Sequence, residues 1–375
     1  MRVAIIAQPY VSVPPKKYGG TERVIFNLIN GLLEAGHEPI LIGPGDSKVE
    51  CELIPTVEKS IFFPRTKSGL AKFNKEIAKI SRRTDRLIRQ TLPNVDVIHS
   101  HGFDIRKFQD FPNVTTLHGP ILFDDIEDLL SPKRKNMNYV SISKNQQTVL
   151  PQLSYLGVAY NGEDPKDFPI VKKPQNYVCF VGRFDREKNP HLAIQLAIHY
   201  GIKIKLGGKI DYLGNDYFES EIKPYIKHPL VEYLGELGPK EVVEVLSKAK
   251  CNLHPTGFRE PFGLTVVEAA YCGTPTLAIA RGSMAELIED GRTGILVEDL
   301  IEGYNRLDEC FAMDRDYIAH RARMLFNYQA MTRSYIEAYE KAIDIDKRRR
   351  SETNALRSFV KKISRNPFTD YTVIP

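Results

Sequence analysis

Apolar residues along the chain fall into two kinds of run, and the two alternate. Val3-Ala-Ile-Ile-Ala7 is apolar at every position, the pattern of a parallel strand covered on both faces. A long Pro-rich loop follows, ending Lys17-Tyr-Gly19-Gly20, and the period then changes: Val24, Leu28, Leu32 and Ala35 share one helical face. Gly36 stops that helix and Ile40-Leu-Ile42 is the next strand. Segment 59–92 is basic and irregular, with a surface helix from Lys72 to Arg89. Asp96-Val-Ile-His99-Ser-His101 and Val114-Thr-Thr-Leu-His118 read as strand ends, and Tyr139-Val-Ser-Ile-Ser143 as the last strand of the first half.

The second half repeats the alternation. Strands are expected at Tyr177–Val181, Lys203–Leu206, Val231–Leu234, the run ending Asn252-Leu-His-Pro255, Pro275–Ala280 and Gly294–Val297. Helices are expected from Asn189-Pro190 to Gly201, where Asn189 is an N-cap and Pro190 the first helical residue, from Glu219 to Lys227, from Pro239 to Ala249, and from Ser283. Asp316 to about Ile345 is helical in pattern. Strand and helix in strict alternation imply an α/β chain: two Rossmann-like, doubly wound parallel-sheet domains, with a ligand in the cleft between their strand C-terminal edges. The Asn161-Gly162 turn and the polar, Pro-flanked segment 169–176 mark the joint.

Composition narrows this only in places. The chain has 375 residues, 42% hydrophobic and 26% charged, which suits a soluble protein with two cores. Fifty-two basic against 47 acidic residues leave +5, too little over this length to point to nucleic acid, so any basic surface is local. One such stretch is 347–375, with Lys347, Arg348, Arg349, Arg350, Arg357, Lys361, Lys362 and Arg365 against Glu352 and Asp370. There Leu356, Phe359, Val360 and Ile363 share a helical face, so 347–365 reads either as a basic amphipathic helix touching anionic membrane or as a solubilising tail. Cys51, Cys179, Cys251, Cys272 and Cys310 are odd in number and far apart, the pattern of free thiols in a reducing cytosol. The first apolar run is too short for a signal peptide, and no run is long enough to span a bilayer.

The chemistry concentrates at Glu260-Pro-Phe-Gly-Leu-Thr-Val-Val-Glu268, between an apolar strand and a helix that stops at Gly273. A helix starting near Gly263 leaves the N–H groups of Gly263, Leu264 and Thr265 without intrahelical partners, a site suited to phosphate. Glu260 precedes that start and Glu268 lies more than a turn inside it. Two carboxylates flanking a phosphate site do not contact the phosphates, but they can accept hydrogen bonds from hydroxyls on either side. A nucleotide-diphosphate-sugar has that layout. The plain alternative is chance spacing on a solvated helix. Gly182-Arg183-Phe-Asp-Arg-Glu-Lys188-Asn189 also lies between strand and helix and can bring Arg183 and Lys188 to one anion; a solvated basic loop is the alternative. Gly19-Gly20 lets backbone approach a ligand closely, or is a flexible turn. His118 ends a strand where a parallel sheet opens its crevice, or is a hydrogen-bonded structural histidine. A metal-dependent transferase would place Asp-x-Asp after a mid-chain strand. Asp314-Arg-Asp316 and Asp344-Ile-Asp346 lie instead in C-terminal helical sequence and read as surface, and no His/Cys cluster suggests zinc.

The Glu260–Glu268 stretch resembles the paired-glutamate signature of the retaining, family-four glycosyltransferases of the GT-B fold. Tyr18-Gly-Gly-Thr-Glu-Arg-Val with Gly36-His37, Thr116-Leu-His-Gly119, Tyr160-Asn-Gly-Glu-Asp164, Gly182-Arg183 with Glu187-Lys188, Leu234-Gly-Glu-Leu237, Gly282-Ser-Met-Ala-Glu286 and Asp290-Gly-Arg-Thr-Gly294 follow the same family's order. The resemblance covers roughly residues 1–345. It implies a donor-sugar contact for Glu260, a ribose contact for Glu268, diphosphate binding by Arg183 and Lys188, and an active-site role for His118; His101 matches a family position but reads as packing. Gly19, Gly20, Leu237, Phe262, Gly263, Leu264 and Thr265 complete the implied donor site. The implied organisation is an acceptor domain over 1–165, a nucleotide-sugar donor domain over 166–315, a helix over 316–345 packing back on the first domain, and a basic tail over 346–375. The implied activity is metal-independent transfer of a hexosyl unit, with retention, from a UDP- or GDP-sugar to a sugar or lipid-linked acceptor, in the cytoplasm or at the inner membrane face. No cofactor is implied beyond the nucleotide-sugar co-substrate. The competing expectations are a GT-B sugar phosphorylase, a nucleotide-sugar epimerase, or an inactive sugar-binding subunit.

Overall fold

The computed structural model describes residues 1–17, 19–61, 67–210 and 215–364. Tyr18 of the glycine loop and Arg365 with the end of the tail therefore lie outside the described residues. The first sheet contains β1 (Arg2–Ile6), β2 (Glu38–Pro44), β3 (Glu52–Val57), β4 (Val97–Ser100), β5 (Asn113–Leu117), β6 (Tyr139–Ser141) and β7 (Tyr155–Val158), in spatial order β3-β2-β1-β4-β5-β6-β7. The second contains β8 (Tyr177–Val181), β9 (Lys203–Gly207), β10 (Val231–Gly235), β11 (Cys251–His254), β12 (Thr276–Ile279) and β13 (Gly294–Val297), in order β10-β9-β8-β11-β12-β13. Every ladder in both sheets is parallel. The helices are α1 (Gly20–Glu34), α2 (Lys67–Thr91), α3 (Phe123–Leu129), α4 (Lys144–Val149), α5 (Pro190–Tyr200), α6 (Asn215–Tyr217), α7 (Pro239–Lys248), α8 (Leu264–Tyr271), α9 (Met284–Leu287), α10 (Leu300–Phe311), α11 (Arg315–Leu325) and α12 (Tyr328–Ser364). Two doubly wound sheets with this layout form a GT-B fold. Each strand order reverses once, between β1 and β4 and between β8 and β11, and such reversals open a crevice at the strand C-termini.

The strands beside each reversal are apolar throughout because both of their faces are covered. Val3 to Ile6 and Tyr177 to Val181 are all buried. One side of the first sheet packs α1 and α12 around Val24, Leu28, Leu32, Tyr335 and Tyr339. A third cluster joins the two halves: Ile142 from the first, Phe168 from the linker, and Phe262, Val266, Tyr271 and Phe326 from the second.

The structure corrects several expectations. Edge strands β3 and β7 and helix α10 were not foreseen; Tyr139–Ser143 is neither the last strand of its sheet nor a strand to its end, since Ser143 caps α4 by accepting from the Gln146 N–H at 3.1 Å. Ala35 sits exposed as the C-cap of α1 and takes no part in its buried face. Glu219–Lys227 holds no regular α-helix: a π turn over Phe218–Ile222 gives way to a 3-10 turn over Lys223–Tyr225, where Pro224 has no N–H to donate. Asn189 occupies the N-cap position of α5, but its amide donates to the Pro255 carbonyl at 3.1 Å and caps nothing. The helix that returns to the first domain begins at Tyr328 and not at 316, because α11 packs on α8, and it runs on without a break to Ser364. Asp346, read from sequence as a surface residue, is 5% exposed and is held by Arg349 and Arg350.

Candidate active site

A cavity of about 400 Å³ lies between the two sheets at their C-terminal edges. All twelve residues singled out from sequence line it: Gly19, Gly20 and His118 from the first domain, and Arg183, Lys188, Leu237, Glu260, Phe262, Gly263, Leu264, Thr265 and Glu268 from the second. Each sits at a strand-to-helix boundary or in the helix just after one. Arg183 and Lys188 are in the β8–α5 loop, Leu237 follows β10, and His118 follows β5. The Glu260–Gly263 loop connects β11 to α8.

Gly263 adopts φ +94 as the N-cap of α8, a left-handed conformation that costs glycine little. No side chain caps α8, so its first N–H groups face the cavity wall without a side-chain acceptor. Opposite, Gly20 opens α1 so close to α8 that a β-carbon there would lie 2.8 Å from Leu264 Cδ1. The two helix starts thus meet across the cleft, one from each domain. The Phe262 ring turns away into the interdomain core, with Tyr160 and Phe326 rings at 6.2 and 6.1 Å, so Phe262 meets the cleft with its backbone.

The charged groups are paired in a definite way. Lys188 Nζ donates to Glu260 Oε2, and His254 Nε2 stands 3.8 Å from the same oxygen. Arg183 reaches Asp185 at 3.1 Å and Glu187 at 3.2 Å. Glu268 is 1% exposed and pairs with Arg23 of α1, whose guanidinium also lies 3.3 Å from Glu163 of the linker. Burial raises the Glu163 carboxyl above the usual range; Arg23 opposes that rise and Glu268 adds to it. Three histidines run back from the cleft wall: His118 lines the cavity, and His101 and His99 lie buried behind it. His101 Nδ1 and His118 Nε2 share a hydrogen bond of 2.7 Å. His99 bonds the Tyr339 hydroxyl through Nδ1 and the Thr116 hydroxyl through Nε2, both at 2.8 Å. Burial holds all three well below the ordinary histidine value, His118 at about 4, so all are neutral at pH 7.

Known proteins share this architecture. The family model "Glycosyltransferase Family 4" matches residues 18–146, and "Glycosyl transferases group 1" matches residues 163–304. The chain belongs to the family-four glycosyltransferases. Glycogen synthase of Mycobacterium tuberculosis is 22% identical over 79% of this chain and 82% of its own length, and spore coat protein SA of Bacillus subtilis is 23% identical over 91% and 100%. Among solved structures, sucrose-phosphate synthase of Thermosynechococcus elongatus superposes with TM-score 0.71 at 19% identity, covering 92% of this chain and 99% of its own. Anabaena HepE, solved in complex with UDP and glucose, superposes with TM-score 0.68 at 17% identity, covering 91% and 100%.

In this glycosyltransferase, sequence reasoning passed over several residues at the cleft. Arg23 lies in the motif over 18–24, where it follows the equally polar Thr21 and Glu22, so nothing local singles it out. Glu163 follows the Asn161-Gly162 turn at the joint, and nothing in the sequence assigns it a role of its own. Glu286 accepts from the backbone N–H of Lys144 and Asn145 at 2.8 and 2.7 Å and from the Tyr160 hydroxyl at 2.7 Å, tying α9 of one domain to α4 of the other. His101 was read as packing; it is buried as expected, and it is also hydrogen-bonded to His118.

Proposed function

We propose that this glycosyltransferase moves a hexosyl unit from a nucleotide-diphosphate-sugar to an acceptor hydroxyl with retention of anomeric configuration. The observation that carries the reading is one cleft wall holding Arg183, Lys188 and the uncapped start of α8 together, with a carboxylate on each side. The two cations and the helix start would hold the diphosphate, in a partly dry cleft where such interactions count for more than in water. Glu268 would bind the ribose hydroxyls, and Glu260 and His118 would orient the transferred sugar. The HepE complex with UDP-glucose supports a nucleotide-sugar donor; in this chain the donor would be a UDP- or GDP-sugar.

The acceptor oxygen attacks the anomeric carbon from the face the diphosphate leaves. As that carbon–oxygen bond breaks, its electron pair passes to the phosphate oxygen, which takes the acceptor's proton. Arg183 and Lys188 stabilise the charge that develops there, without reorganising. Lys188 rests on Glu260 in the structure, so donor binding would exchange one anionic partner for another. We assign the leaving-group charge to these residues and not to a metal, and we assign no cofactor. The acceptor would be a sugar or lipid-linked glycan in glycan, glycolipid or polysaccharide synthesis. The five free cysteines support a cytoplasmic site of action, and the exposed basic continuation of α12 supports peripheral contact with anionic lipid.

Transfer from a panel of nucleotide-sugars, assayed in EDTA with the product anomer read by proton NMR, tests this. Transfer that survives chelation with retained configuration is expected. Inversion, or activity that stops in EDTA and returns with Mn²⁺ or Mg²⁺, contradicts the mechanism.

A further inference from the structure

We infer that His101 is a positioning residue, donating from Nδ1 to Nε2 of His118 and so fixing His118 as a hydrogen-bond donor towards the cleft. This rests on the reading above that His118 faces the transferred sugar.

Two neutral imidazoles sharing one hydrogen bond leave a single choice: one ring donates and the other accepts. The two rings lie 5.0 Å apart between centroids, nearly parallel at 23°, and the shared bond runs between His101 Nδ1 and His118 Nε2. The other nitrogen of His101, Nε2, is buried and has no hydrogen-bond partner among the described residues. If His101 accepted at Nδ1, its proton would sit on Nε2 as a buried donor with no acceptor. If it donates from Nδ1, Nε2 keeps only a lone pair. Buried N–H groups left without an acceptor are the rarer and costlier case. The proton therefore belongs on His101 Nδ1.

The consequence passes to the next ring. His118 accepts at Nε2, so its own proton is on Nδ1, the ring nitrogen left for the cleft that His118 lines. Its lone pair is already committed. His118 thus offers an N–H to an oxygen of the sugar, a hydroxyl or the ring oxygen, and has no free lone pair with which to deprotonate the acceptor. This assigns proton acceptance to the leaving phosphate and away from the imidazole.

His99 keeps the relay in register. Its ring lies 4.0 Å from that of His101, and both of its nitrogens are engaged, by Tyr339 of α12 and by Thr116 of β5. Tyr335 of α12 also shares a hydrogen bond with Thr116, at 3.1 Å. The returning helix therefore reaches the active-site ring through two other histidines.

Two-bond ¹H–¹⁵N spectra of the full chain labelled at histidine, at pH 7, read the tautomers directly. Signals are assigned by their loss in His101→Asn and His118→Gln. Protonated Nδ1 in both rings is expected; a protonated Nε2 in His118 overturns the inference. Kinetics give an independent reading. His101→Asn retains an amide able to donate, whereas His101→Leu does not. The Leu variant should lose about ten-fold or more in kcat with KM for the donor unchanged, the scale on which ring-orienting partners act, and the Asn variant should lose clearly less. Equal kcat in the two variants contradicts the donor role. If the wild type transfers from no nucleotide-sugar, the functional reading fails, and the spectrum still decides the tautomer.

Discussion

Glu260 and Glu268 stand on either side of one helix start and have different partners, so they should fail in different ways when neutralised. Glu260 is held by Lys188 beside His254, at the sugar end of the cleft in our reading. Glu268 is held from the other domain by Arg23. Glu260→Gln is expected to lower kcat while nucleoside-diphosphate affinity stays nearly unchanged. Glu268→Gln is expected to weaken that affinity by about 1.5–3 kcal/mol, the cost of one charged hydrogen bond. Calorimetric titration of each variant beside its turnover checks both, and unchanged affinity and turnover in both would refute the assignment. At this scale the candidate site was legible because its residues sit at strand-to-helix boundaries, where local pattern alone places a loop at the cleft. Arg23, Glu163 and Glu286 were not legible, because each acquires its meaning from a partner more than a hundred positions away.

Among the elements, α12 has the widest reach. It buries Tyr335 and Tyr339 under the first sheet and engages His99 there. Four histidines, three of them buried and His118 half-buried at the cleft, make a pH prediction with a definite sign. His99, His101, His118 and His254 all have folded values below the unfolded one, near 6.5, chiefly through burial. Between about pH 4 and 6.5 the unfolded chain binds protons that the native state does not. Stability from these groups is therefore complete above about pH 6.5 and lost as pH falls below it, His118 alone accounting for up to about 3 kcal/mol. Glu163 and Glu22, both raised by burial, work in the opposite sense as pH climbs past the ordinary glutamate range, but they are two groups against four. Urea unfolding midpoints should rise from pH 5 to pH 7; a flat or falling midpoint contradicts this. The central strands and α1 were legible because burial on both faces, or on one helical face, leaves an unbroken pattern. β3 and β7 were not: they are edge strands, half covered, and carry Pro55 and Gly157.

For the whole molecule, the two-domain α/β plan could be read from alternation, but not how the halves are tied. Arg23 with Glu268 and Glu163, Glu286 at the start of α4, and Gly20 against Leu264 all join the domains around the cleft. No described helix is long and apolar enough to cross a membrane. The basic end of α12 leaves the first domain where Arg349 donates to the Gln109 carbonyl, beside the start of β5 and so at the end of the sheet away from the cleft. Leu356 and Val360 are 64% and 57% exposed there. Anionic vesicles should sediment the full chain and not a chain ending at residue 350, and equal binding of both would refute the lipid role. The central claim, that the cleft is built for a nucleoside diphosphate and its sugar, is tested most directly by thermal unfolding with UDP, GDP and their sugars, run on the wild type and on Arg183→Ala. One nucleoside diphosphate should stabilise the wild type, by about 2.7 kcal/mol at a hundred times its Kd, and stabilise Arg183→Ala clearly less. If none shifts the wild type at millimolar concentration, or if both proteins shift equally, the account of the cleft is wrong.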